Sequence, residues 1–349
     1  MINTALQIHL IRYPQGAVQR SDFRIVETPV PALEIGQVLV RNLYTSVDPG
    51  MRLRLRESGP QGYFNSFPLG EAMDGIMSIG TVVASRAMGF VEGDTVSHGW
   101  GWRDFAVVDA GAVSLGGVGT LAKIDTSLGP PHKFLGPLGN MGLTAYVGIL
   151  DIASLTPGDV VWVSAAAGAV GSLAAQIAKL RGHRVIGSTG SAAKVKYLLD
   201  EVGLEAAFDY HDGPIVEHLR SWSPEGIDVY FDNVGGSHLE AALATLRLRG
   251  RVAMCGAISE YERTDAQPGP SNLFQAVSQE LTLRGFRASN HIERMADSSR
   301  ELSGWLNDGR LHYHETIVDG LESAPEALVE MLAGTTLGKT LIRVGGPNG

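Results

Sequence analysis

Residues 163–195 read VSAAAGAVGSLAAQIAKLRGHRVIGSTGSAAKV. A short apolar run from Asp159 to Val163 leads into the turn AAGAVG (166–171), and an apolar-striped helix follows through Leu180. In a turn of this kind Gly168 lets the backbone come close to a pyrophosphate, and Gly171 lets the helix pack on the strand. The free N–H groups of Ala169, Val170 and their neighbours at the helix start then attract the anion. Ala166 stands where the first glycine of G-x-G-x-x-G would be, and Ala167 completes the loop. The bland alternative is a tight strand–helix connection with no ligand, because a lone glycine-rich turn is a weak signal. What surrounds the turn decides between the two.

Around it, DVVWVSA (159–165), HRVIGS (183–188), AAFDY (206–210), IDVYFDNV (227–234), GRVAMCG (250–256) and LTLRGF (281–286) are short apolar runs, mostly separated by helix-length amphipathic stretches. Buried strands alternating with helices predict a parallel sheet covered on both faces. Six strands predict a full doubly wound dinucleotide fold in the order 3-2-1-4-5-6. The text before it is different: LQIHLIR (6–12), QVLVRNLY (37–44), MSIGTVVASR (77–86) and DTVSHGWGWRDFAVVD (94–109) are β-like runs broken by glycine and proline, the pattern of an irregular all-β domain. After Asn307, HETIVDGL (314–321) and KTLIRV (339–344) flank a helical SAPEALVEMLAG (323–334) and are expected to rejoin that first domain. The fold class read here is α/β, with a β domain over 1–134 and 310–349 and a six-stranded dinucleotide-binding domain over 135–309.

A chain of 349 residues, 44% hydrophobic and 19% charged, can fill two cores. Its net charge of -9 and lack of a basic block argue against a general nucleic-acid binder. The N-terminal MINTALQIHLIRYPQG alternates like a strand, without the charged and apolar regions of an export signal, and no 18-residue apolar run occurs. The expectation is a cytoplasmic protein without a membrane partner. One cysteine, Cys255, excludes an intrachain disulfide and a four-cysteine zinc site. The ten histidines show no H-E-x-x-H, and His98 in SHGWGW reads as a turn residue between strands. No metal is expected, and Cys255 in RVAMCG reads as a small buried hydrophobe.

The choice of dinucleotide turns on the end of the second strand, where NAD-binding chains usually present an acid to the ribose. Here stand Gly187, Ser188 and Thr189. A carboxylate would repel a 2′-phosphate, whereas small hydroxyl residues and the nearby Lys194 would hold one. Tyr210 ends the third strand beside them. The reading is NADPH, the competing view of Lys194 being a solvated helix lysine. Without a metal, a carbonyl substrate needs another electrophile, and a tyrosine that keeps its proton can donate to a developing enolate. Tyr261 in CGAISEY lies just past the fifth strand, at the edge where ligands bind in such sheets. Whether it is the proton donor or only lines the site stays open. Asn233 in FDNVGG is a candidate contact for the nicotinamide half, or else part of a turn that two glycines require.

The motifs YTSVDPGMR (44–52), GWRDFAVV (101–108), GLTAY (142–146), VSAAAGAVGS (163–172), VYFDNVGG (229–236), CGAISEY (255–261) and the terminal GK (338–339) occur in one order over the whole chain. In them the chain resembles the zinc-free medium-chain dehydrogenase/reductases of the prostaglandin reductase, plant double-bond reductase and bacterial curcumin reductase group. The resemblance implies a GroES-like first domain and NADPH-dependent reduction of the C=C bond of α,β-unsaturated aldehydes and ketones. It carries cofactor roles onto Gly168, Lys194, Tyr210, Asn233, Cys255, Gly256, Ile258 and Tyr261, and onto Phe286, Arg287 and Ala288. Asp48 stands where zinc-dependent relatives have their first cysteine ligand, and Glu71 where they have histidine. Two departures from the group are Thr336 in place of a late asparagine and Gly50 in place of a tyrosine after DP, the second of which should open one wall of the substrate pocket. Tyr44 and Tyr63 are the candidate substrate contacts. The resemblance and the apolar edge of LTLRGF also point to a homodimer through the sixth strand. Rival readings are a quinone reductase of the same superfamily and a non-enzymatic NADPH-binding protein.

Overall fold

All four side chains of Val160–Val163 are buried, as branched and aromatic residues are when a strand lies in the middle of a covered sheet. The computed structural model describes residues 2–60, 63–112, 120–263 and 268–345. The chain divides into two units, Met1–Leu135 with Glu315–Gly349, and Gly136–His314.

In the second unit Val160–Val163 is the first of six parallel strands, followed by Arg184–Thr189, Ala206–Asp209, Ile227–Asp232, Leu246–Met254 and Thr282–Gly285. Their spatial order is third, second, first, fourth, fifth, sixth, the doubly wound dinucleotide-binding topology. Helices Ala169–Leu180 and Ala192–Asp200 pack on the first three strands, and Gly236–Thr245 packs on the fourth. One core joins Trp162, Ile186, Phe208, Leu219, Tyr230, Leu239 and Val252. At its centre the rings of Trp162 and Tyr230 stack with centroids 4.2 Å apart. Reversal of strand order at the first strand leaves a crevice position at the C-terminal strand ends, where the glycine turn also lies.

The first unit is built on a seven-stranded sheet. Glu315–Asp319 pairs in parallel with Lys339–Arg343, which pairs antiparallel with Gln37–Ser46; Ser78–Ser85, Thr95–His98 and Ala122–Lys123 follow, and Phe105–Asp109 pairs with Gln37–Ser46. Thr4–Leu10 and Phe23–Pro29 form a separate antiparallel pair. Ile8, Leu10, Met51, Phe67, Trp102, Leu328 and Ile342 share one core, so the C-terminal helix Ala324–Leu332 and last strand complete the unit begun by the N-terminus. Two details differ from the sequence reading. The run 94–109 is two strands, Thr95–His98 and Phe105–Asp109, broken where Trp102 turns the chain at φ +51 beside the closely packed Gly101. The strand Phe23–Pro29 is absent from that reading, and only Phe23 of its side chains is buried. Among the described residues, no helix is long and apolar enough to cross a membrane.

Candidate functional site

The glycine turn has the local geometry of an anion cradle. Ala165 takes φ +47, and Gly168 caps the helix Ala169–Leu180 in extended conformation. A Cβ on Gly171 would lie 2.2 Å from Ala165 O, so only glycine lets the helix approach the strand. The intrahelical ladder starts with Ser172 N–H to Gly168 O at 3.0 Å. The amides of Ala169, Val170 and Gly171 precede it, at the positive end of a 12-residue helix. Gly187 supports the turn from below, since a Cβ there would meet Ala166 Cβ at 3.0 Å.

At the ends of the second and third strands, Tyr210 N–H donates to Thr189 O (3.1 Å), and Tyr210 Oη would be 3.1 Å from a Cβ on Gly190. Burial, then the charge of Asp209, holds the Tyr210 phenol above its ordinary pKa. Lys194 is half-buried in the first turn of Ala192–Asp200, and that burial lowers its pKa from the usual lysine value. Ser188 differs from expectation. Its side chain is fully buried and its Oγ accepts the Trp162 indole N–H at 3.1 Å, so that hydroxyl faces the core and not the ribose. Alternation along the strand is the reason. The hydroxyl that caps the next helix is that of Ser191, which accepts the Lys194 amide. It was legible as a Ser three residues before a lysine in a helix start, and the sequence reading missed it.

The ends of the first, fourth and fifth strands form a second cluster. Asp232 Oδ1 accepts the amides of Val234 (3.0 Å) and Gly235 (2.8 Å), and the Tyr230 hydroxyl 2.7 Å away donates to it. This closes the turn whose glycines take φ +71 and +50. Asn233 is fixed by Ser164: its amide N–H reaches Ser164 Oγ at 3.0 Å and its Nδ2 donates to Ser164 O at 2.7 Å. Burial pushes the Asp232 carboxyl up, opposed by the Gly235 amide, the Tyr230 hydroxyl and the Val234 amide. Ser164, Tyr230 and Asp232 were not among the candidate residues, although an Asp before N-V-G-G is an Asx-turn signal.

From the fifth strand, Cys255 N–H and Gly256 N–H donate to Asp232 O, and Ile258 N–H donates to Asn233 O at 3.1 Å. This loop is thereby tied to the Asn233 turn. Burial, with the Asp232 charge adding, pushes the Cys255 thiol up to about 12, so it is no thiolate nucleophile at neutral pH. Tyr261 follows the short helical turn Ile258–Glu260, and its hydroxyl would be 3.1 Å from a Cβ on Gly256. Burial raises the phenol pKa, the Ala257 backbone hydrogen bond lowers it, and the charges of Cys255 and Asp232 raise it further. The group keeps its proton at neutral pH. Residues 264–267 of the loop that continues from Tyr261 lie outside the described residues. Phe286 and Arg287 follow the sixth strand, with the Phe286 ring packed edge-on to Phe231, and Ala288 is buried.

In the first unit Asp48 is committed to a buried ion pair. Lys339 Nζ lies 2.8 Å from Asp48 Oδ1 and donates to Val47 O at 2.7 Å, while Ser46 Oγ donates to Asp48 Oδ2. The terminal GK motif thus holds the SVDPG segment. A Cβ on Gly50 would lie 3.8 Å from Ile76 Cδ1 and 3.9 Å from Tyr63 Oη, so the small residue leaves a space bordered by these two. Tyr44 packs on His132 with ring centroids 5.5 Å apart. His98 is fully buried, accepts the Trp100 amide at Nδ1, and is pushed down to about 3 by burial and the Arg103 charge, which keeps it neutral and structural. Glu71 is exposed. Among the described residues no group of three or more His, Cys, Asp or Glu side chains could hold a metal ion.

Two family models match the chain, one described as the N-terminal domain of oxidoreductase over residues 6–115 and one as zinc-binding dehydrogenase over residues 169–304. Prostaglandin reductase 1 of Rattus norvegicus is 38% identical over 339 residues, which is 96% of this chain and 97% of that protein. The NADPH-dependent curcumin reductase of Escherichia coli (strain K12) is 35% identical over 338 residues, 95% of each. Among solved structures, that of CurA from Vibrio vulnificus in complex with NADPH superimposes with a TM-score of 0.89 at 33% identity, over 98% of this chain and 100% of that one.

Proposed function

The chain belongs to the zinc-free group of the medium-chain dehydrogenase/reductases and is an NADPH-dependent oxidoreductase, and from that premise we propose that it reduces the C=C bond of α,β-unsaturated aldehydes and ketones. The observation that carries the reading is Tyr261: a phenol with a raised pKa, folded onto Gly256 at the C-terminal edge of the sheet and tied through that loop to Asn233. When bound, NADPH supplies the hydride that reaches the β-carbon. The chain's own groups do the rest. The turn Ala167–Gly171 takes the pyrophosphate on its free amides, and Lys194 with Tyr210 takes the 2′-phosphate. Asn233 contacts the nicotinamide half, and Cys255, Gly256, Ile258 and the segment Phe286–Ala288 contact the cofactor. Tyr261, or a water it holds, donates to the carbonyl oxygen as the enolate forms, and a proton then reaches the α-carbon. In the first unit Tyr44 and Tyr63 are the candidate substrate contacts, with a space beside Gly50. Measuring NADPH oxidation in chelator with a trans-2-alkenal, with a quinone and with no acceptor tests this. Alkenal-dependent oxidation yielding the saturated aldehyde is expected, and activity with quinone alone, or with neither, overturns it.

A homodimer belongs to the same proposal. Thr282–Gly285 ends the sheet, paired on one side only among the described residues. Just upstream, Phe274 and Val277 are 75% and 69% exposed. An unpaired edge next to exposed apolar side chains is normally covered, and a symmetry mate covers it with the same edge. Light scattering at micromolar concentration is expected to give twice the 37.1 kDa chain mass. A monomer rejects it.

A further inference from the structure

We infer that His211 is a third ligand for the cofactor's 2′-phosphate beside Lys194 and Tyr210, an inference that rests on the NADPH reading of that pocket. The register of the sheet brings it there. Asp209 pairs with Thr189 across the parallel second and third strands, so Gly190 and the Tyr210–His211 pair leave the sheet side by side. A Cβ on Gly190 would lie 3.1 Å from Tyr210 Oη and 3.4 Å from His211 Cε1. Both rings therefore lean over the same bare backbone position, with their centroids 4.1 Å apart.

Asp209 fixes how the imidazole is presented. Its Oδ1 accepts the His211 backbone N–H at 3.0 Å and lies 2.8 Å from Nδ1. A carboxylate in that position holds a proton on Nδ1 and leaves Nε2 as the outward nitrogen. Nε2 is bonded to the carbon that lies over Gly190, it has no hydrogen-bond partner among the described residues, and the side chain is 61% exposed. A phosphate dianion arriving over Gly190 adds a second negative charge next to the ring. Between it and Asp209 the imidazolium, taking its extra proton from solvent, donates from both nitrogens, and the phosphate receives a charge-assisted bond. The same pairing covers Asp209, whose bare carboxylate would otherwise repel the phosphate. Charged or titratable groups nearby include Lys194 in the first turn of the helix after Gly190, which adds attraction, the exposed Asp212 next in sequence, which opposes it, and His238 on Gly236–Thr245. The His238 ring is 4.9 Å from Tyr210, and burial and His211 lower its pKa to about 4.

Fluorescence titration of NADPH and NADH into the full-length protein and its His211→Ala, Lys194→Ala and Asp209→Asn/His211→Ala variants tests this. His211→Ala is expected to weaken NADPH about fivefold to tenfold, the range of one charge-assisted hydrogen bond at a partly exposed site, and to leave NADH unchanged. The double variant is expected to stay weak. Equal losses for both cofactors, an unchanged NADPH affinity, or full recovery in the double variant overturns the assignment, the last by showing that His211 only masks Asp209. If the wild type does not prefer NADPH, the pocket reading itself falls. If Lys194→Ala abolishes the preference while His211→Ala keeps it, only His211 is removed.

Discussion

Replacing Tyr261 with phenylalanine is expected to lower turnover with a simple enone about 10²-fold, the scale of losing one oxyanion donor, and to leave NADPH affinity nearly unchanged. The ring is retained, while the hydroxyl, which is the atom that approaches Gly256, is removed. What disappears is one hydroxyl, whose protonated state is secured by burial and by the nearby Asp232 and Cys255. Single-turnover hydride transfer with bound NADPH is the measurement. If the hydroxyl serves only to receive the Ala257 backbone hydrogen bond, the variant loses about 1 kcal/mol of stability and its rate does not move. If it holds the cofactor, affinity falls while turnover at saturation survives, because such binding is shared by ground and transition states. An unchanged single-turnover rate takes Tyr261 off the catalytic residues.

The second large effect is expected at Lys194. Lys194→Ala is expected to weaken NADPH by about ten- to a hundredfold, roughly 1.5 to 3 kcal/mol for charge-assisted hydrogen bonds, with NADH almost untouched. Half-burial at the helix start limits the positions its ammonium can take, so little ordering is left to be done on binding. Direct titration of both cofactors reads the effect, and equal losses would show that Lys194 does not discriminate the phosphate.

The order of the second unit's strands was legible because the strands are short apolar runs, mostly separated by helix-length stretches, and the doubly wound topology then leaves one arrangement. The glycine turn was legible for a steric reason: Gly171 has a carbonyl oxygen where a side chain would go. What sequence could not give is the side chain's direction at a strand end. Ser188 and Thr189 look interchangeable in a string of letters, yet one register step puts the Ser188 hydroxyl under Trp162. Long-range partners were equally hidden. Nothing near Asp48 in sequence announces Lys339, and nothing near Asn233 announces Ser164, because both contacts are made by sheet pairing between distant segments. The strand Phe23–Pro29 escaped because only Phe23 of its seven side chains is buried, which leaves little apolar pattern to select.

The closing strand of the first unit has a consequence for biosynthesis. Ser46 is paired with Leu341, 295 positions later in the chain, and Lys339 arrives at Asp48 with the same strand. At about 5–20 residues per second a ribosome needs roughly 15–60 s to synthesise that interval. Throughout it the Gln37–Ser46 edge waits without its last neighbour, while the whole of Gly136–His314 emerges and has its own core available. The nucleotide-binding unit is therefore free to fold first on the nascent chain, and the β unit is completed only once Lys339–Arg343 has emerged. Shortening the C-terminus by the last strand would leave Asp48 buried without its cation and an open sheet edge, so truncation there should yield aggregation-prone chains with an intact nucleotide-binding half.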